Sequence, residues 1–226
     1  MSLPRSMPVM IVNHSTVVQP LDCAAAIGAL QHQVSYDFQP YWGQGAHLYT
    51  PATSTSPMAT IAILDDSDQA GALGYHDWTT TDGYPLAKVF ARTDQQYGLS
   101  WTVTASHELL EMLADPYVHD GSQDDITARW YAREVCDPIE ADALGYTYNN
   151  VLLSDFITPM WFHSGAKAPY DFKNHLTAPM SLASKGYMSY WDNTGWHQKQ
   201  LQQGQLVDAP LGDNPRFRVG RRRTAK

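Results

Sequence analysis

Apolar and polar positions alternate or recur in distinct ways along the chain, and the pattern predicts a mixed α/β order. Val9–Val12 reads as a short buried strand. Pro20 can open a helix at its first turn, and the Ala-rich stretch behind it carries that helix to about Val34. Tyr36–Gly45 is aromatic and broken by Gly and Pro, which predicts a loop; His47–Thr50 reads as a strand and Pro51–Pro57 as a loop. Ala59–Leu64 is apolar and Ile-rich, hence a central strand. Asp65–Gly83 reads as a long polar loop, and Leu86–Phe90 as a strand that could lie exposed at a sheet edge.

The firmest element is a helix over Leu99–Ala114, with Val103, Ser106, Leu110 and Leu113 at helical spacing on the expected buried face. Asp115-Pro116 ends it, because a residue before proline disfavours the helical region. A polar loop (His119–Asp125) follows, then strands near Trp130–Val135 and Val151–Ile157. From Pro159 the chain reads as loop-rich, and residues after about 205 as an arm. One domain over residues 1–205 with an arm at 206–226 is therefore expected.

Composition supports a folded domain: 43% of the 226 residues are hydrophobic and 17% charged. The net charge of −8 hides an asymmetry. Six of fifteen basic residues lie at Arg216–Lys226, so residues 1–215 set nine basic side chains against all twenty-three acidic ones, about −14. Such a body repels nucleic acid, and the basic tail reads as a solvated terminus. Two cysteines, Cys23 and Cys136, make no disulfide scaffold, though one bridge is conceivable. No apolar run approaches the ~18 residues of a membrane span. Met1–Ser6 lacks the apolar core of a secretion signal, which points to a cytoplasmic or phage-associated protein. Neither a Gly-rich nucleotide loop nor a Ser-centred nucleophile elbow is present.

Candidate chemistry concentrates on the Leu99–Ala114 helix. His107 and Glu111, four residues apart, project from one side, and an imidazole nitrogen with a carboxylate oxygen makes a good zinc pair. Glu108 points about 100° away. There it can act as general base toward a metal-bound water, as in the His-Glu-x-x-His peptidases. Here Glu111 replaces the second His, which lowers the Lewis acidity expected of the metal. A catalytic site needs a further donor. Glu134-Val135-Cys136-Asp137-Pro138-Ile139-Glu140 offers it: Glu134 as third ligand, with Asp137 either the ligand instead or the partner that orients His107. Cys136 can serve as a ligand or as a small buried residue. Asp66–Asp77 fits a calcium loop poorly, with Ala70 and Asp77 at ligand positions, so calcium is not expected. His76 reads as a satisfied loop histidine, or as a cleft residue that donates to an oxyanion.

Ser106-His107-Glu108-Leu109-Leu110-Glu111, then Ala114-Asp115-Pro116, then Glu134-x-x-Asp137, resembles a diffuse group of His-Glu-x-x-Glu metallopeptidase-like proteins. Plant EXORDIUM-like proteins share a similar pattern. Bacterial and prophage-associated proteins look closer, with stretches like Glu134–Asp142 and Leu153–Phe162. The resemblance covers about residues 72–162. It implies a zincin-like α+β fold, a twisted mixed sheet packed on the active-site helix, and one zinc ion per chain acting on a peptide or protein substrate. The competing readings are an inactive zincin-like binding module and a phage or surface structural protein.

Overall fold

The computed structural model describes residues 5–54, 56, 58–78 and 82–211. The basic tail expected at Arg216–Lys226 lies outside them. A five-stranded sheet forms the first layer: β1 (Arg5–Asn13), β2 (Gln44–Tyr49), β3 (Ala59–Leu64), β4 (Gly74–Trp78) and β5 (Pro85–Phe90), in the order β2-β1-β3-β5-β4. The first four in that order run parallel, and β4 runs antiparallel to β5 at the edge, with Gly74 opposite Val89 and His76 opposite Ala87. In β3 the alternation is clean: Ala59, Ile61 and Ile63 are buried, and Thr60, Ala62 and Leu64 less so. β-Branched residues on a pleated, half-buried surface favour this geometry.

The β1-to-β2 crossover runs through α1 (Pro20–His32), which opens on Pro20 and buries Cys23, Ala26, Ala29 and Leu30 along one stripe. The helix does not stop at the expected loop. Gln33–Phe38 continues as a π-helical turn and α2 (Gln39–Trp42) follows, ended by Gly43 at φ +68°. Tyr36–Gly45 is thus helical as far as Trp42. The wider turn breaks the 3.6-residue period, and Pro40 sits in the first turn of α2, where its missing N–H does no harm. Buried Phe38 stacks on Trp42 and meets Phe156 edge-on.

The segment Asp65–Gly83 is not all loop, since it holds β4. Leu86–Phe90 is not an edge either: β5 lies between β3 and β4. After α3 (Ala91–Gln96), α4 (Trp101–Ala114) packs across β5 and β4. Burial covers every residue from Val103 to Ala114 rather than one stripe. The helix stops where Asp115 leaves helical angles, its N–H still bonded to the Glu111 carbonyl at 2.8 Å.

A second, antiparallel sheet contains β6 (Gly121–Gln123) and β7 (Trp130–Ala132). The chain then makes a separate two-stranded hairpin of β8 (Tyr146–Tyr148) and β9 (Val151–Leu153), turned by Asn149 and Asn150 at φ 47° and 65°. β10 (Tyr187–Asp192), β11 (Gly195–Gln202) and β12 (Gln205–Pro210) complete the sheet in the order β12-β11-β10-β7-β6. Residues 206–210, expected in an arm, therefore pair as a strand with β11. The fold is α+β with a mixed sheet. No helix among the described residues is long and apolar enough to cross a membrane. Cys23 and Cys136 are both buried and free, so no bridge joins them.

Candidate metal centre

Three chain segments meet beneath the C-terminal half of α4. The helix brings His107, Glu108 and Glu111. The stretch leaving β7 brings Glu134, Cys136 and Asp137, the last opening a one-turn 3-10 helix ahead of Pro138. The edge strand β4 brings His76, which shares a face with Gly74 because strand side chains alternate. That stretch is pinned by the Ile157 N–H, bonded to the Val135 carbonyl at 2.8 Å.

The helix itself is clamped. The Ser106 hydroxyl donates to Gln33 Oε1 at 2.7 Å and accepts from the Ser154 N–H at 3.0 Å, while the Gln33 amide donates to the Ser154 carbonyl at 2.9 Å. Thr104 donates to Asp94 and Thr102 to the Leu152 carbonyl.

Distances are short around Glu111. Its Oε1 accepts from the Cys136 N–H at 3.1 Å, which fixes the carboxylate and leaves Oε2 unpartnered. Glu111 Oε2 lies 3.2 Å from His107 Nε2 and 3.6 Å from His76 Nδ1. His107 Nε2 is also 3.3 Å from Asp137 Oδ1. Glu134 Oε2 stands 3.8 Å from His76 Nε2, and Glu108 Oε2 3.7 Å from His76 Nδ1. Ligand atoms of Glu111, Glu134 and Asp137 lie within 4.8 Å of one another, as do those of His107, Glu111 and Cys136. Donors about 2.0–2.1 Å from a tetrahedral zinc stand about 3.3–3.4 Å apart, so the His107–Glu111 and His107–Asp137 distances match tetrahedral edges.

All six of these His, Glu and Asp side chains are 0–3% exposed. Both ring nitrogens of each histidine and both oxygens of Glu108, Glu134 and Asp137 lack a hydrogen-bond partner. Buried polar groups are normally satisfied, and a buried charge normally has a counter-charge. Four carboxylates face two neutral-capable imidazoles with no Lys or Arg among the ion pairs of the cluster. Burial pushes Glu108, Glu111 and Glu134 well above the usual carboxylate range, Asp137 adding its repulsion at Glu111. Burial, then the neighbouring His107, holds His76 down to about 3. Burial also raises the Cys136 thiol. Groups of these donors could hold a divalent cation.

The side chains expected from the sequence, His107, Glu108, Glu111, Glu134 and Asp137, come together here. Asp137 lies against the same ring nitrogen of His107 that faces Glu111, not against the far nitrogen where an orienting partner would sit. Glu134 faces His76. His76 is no satisfied loop histidine: it stands on a strand, fully buried, with neither nitrogen bonded. Only its place within the region of family resemblance pointed to it. No protein-family model matches this chain, and a search of the curated proteins returns no match.

Proposed function

We propose that this protein holds one zinc ion on His107, Glu111 and Asp137, with Glu134 beside them, and hydrolyses peptide bonds with Glu108 as general base. The observation that carries this is the convergence of two unpartnered, buried carboxylate oxygens, Glu111 Oε2 and Asp137 Oδ1, on His107 Nε2 at tetrahedral-edge distances. Bound there, the metal would supply Lewis acidity and an acidified water. Glu108 follows a ligand directly and presents two unpartnered oxygens beside the donors. In this reading it takes the proton of an attacking water and returns it to the leaving amine. The edge strand β4 has no strand paired on its outer side among the described residues, and an extended peptide can add there. An antiparallel edge strand beside the metal-bearing helix supports a zincin-like arrangement.

One observation favours a second reading, a zincin-like binding module whose metal is structural. The donors are 0–3% exposed, and structural metal sites are closed whereas catalytic ones keep an open position. Glu108→Gln separates the two. The swap keeps size and removes the base, so with both proteins loaded to one zinc per chain it lowers cleavage of a diverse peptide library by about 10²-fold or more. Equal cleavage by both proteins removes Glu108 from the mechanism. No cleavage by fully metallated wild type selects the binding module.

A further inference from the structure

Hydrolysis at one ion leaves His76 unused. It is fully buried on β4, neither ring nitrogen has a partner, and Nδ1 points between Glu108 Oε2 at 3.7 Å and Glu111 Oε2 at 3.6 Å. We propose that the centre accepts a second divalent cation, held by His76, Glu108 and Glu111, so that Glu111 is shared between two ions. This rests on the first ion's site as read above.

The donors sort into groups around Glu111. Ligand atoms of His76, Glu108 and Glu111 lie within 4.8 Å of one another, and separate groups join Glu111 to His107 and Cys136, and to Glu134 and Asp137. Glu111 belongs to each of them. A carboxylate shared in this way sets two ions about 3.5–4 Å apart, the spacing of two-metal sites.

Charge points the same way. Glu108, Glu111, Glu134 and Asp137 together carry four negative charges when ionised. One divalent ion balances two of them, and in a site only 0–3% exposed the other two need protons or a second cation. Two ions bring the cluster to neutrality. Two imidazoles with four carboxylates is also the donor inventory of the dinuclear carboxylate centres built inside helix bundles. Here an edge strand, a helix and a 3-10 turn supply it.

The second ion has a consequence for the first. A Glu108 carboxylate bound to a cation has no lone pair free for a proton, so filling the second site removes the base. Excess metal therefore arrests the hydrolysis that one ion supports.

The test uses the full chain, stripped with chelator and dialysed against manganese. Two ions per chain are expected, with an exchange-coupled electron paramagnetic resonance spectrum, because coupling requires ions a few ångströms apart. His76→Ala, and the near-isosteric His76→Asn, retain one ion and lose the coupling. One ion in the wild type, or two without coupling, overturns the second site and leaves the first standing. No ion at all overturns both. A coupled pair surviving in a folded His76 variant overturns the assignment to His76.

Discussion

Hydrogen bonding divides the buried acids of residues 108–155 into two kinds. Asp115 accepts the N–H groups of His119 and Asp120, each at 3.0 Å. Asp124 takes the N–H and hydroxyl of both Thr127 and Ser164, and Asp155 the N–H groups of Phe156 and Lys173. These carboxylates fold loops. Glu108, Glu134 and Asp137 take nothing, and Glu111 keeps one oxygen free. Gly74 shows how closely the backbone approaches the second kind. A Cβ there would lie 2.8 Å from Glu108 Oε1, 2.6 Å from Thr104 Cγ2 and 2.9 Å from the Lys88 carbonyl. The backbone carbonyl of β5 cannot yield, so Gly74→Ala should cost about 1–3 kcal/mol in urea unfolding and displace Glu108. Wild-type stability in this variant would mean that β4 and α4 are not so tightly apposed.

At the scale of elements, α4 was readable because Val103, Ser106, Leu110 and Leu113 keep helical spacing up to the Asp115-Pro116 stop, and both signals are local. Its burial on every side was not: Thr104 lies off the apolar stripe, yet it is buried with its hydroxyl donating to Asp94, as the Ser106 hydroxyl donates to Gln33. β4 was hidden for a different reason. Gly74, His76 and Asp77 have poor strand propensity, and only pairing to β5 and contact with α4 make them a strand. With β4 unread, the sequence shows β5 as the edge and His76 as a loop residue. The Ser106 clamp is testable. Ser106→Ala strands the buried Gln33 carbonyl oxygen and the Ser154 N–H, and should destabilise the metal-free protein by about 2–3 kcal/mol in denaturant titration. A loss below about 0.5 kcal/mol would show that the clamp does not hold the helix.

For the whole molecule, the cluster sets the sign of the pH dependence. Glu108, Glu111 and Glu134 ionise higher in the folded protein than the ordinary 4.5, so the native state binds more protons than the unfolded chain above that pH. Stability of the metal-free protein then falls as pH rises from about 4.5. His76, held down to about 3, acts oppositely between its ordinary 6.5 and 3, but one imidazole opposes three carboxylates. Thermal melts of chelator-treated protein should show a falling midpoint from pH 5 toward 8. Zinc-loaded protein should gain stability over the same span, because ligands shed protons to bind metal. Parallel profiles with and without zinc would contradict this. The most direct measurement of the central claim is anomalous scattering at the zinc edge from a crystal grown with zinc. The account predicts a peak about 2 Å from His107 Nε2, Glu111 Oε2 and an Asp137 oxygen. A zinc-containing crystal with no peak among these three side chains would contradict it.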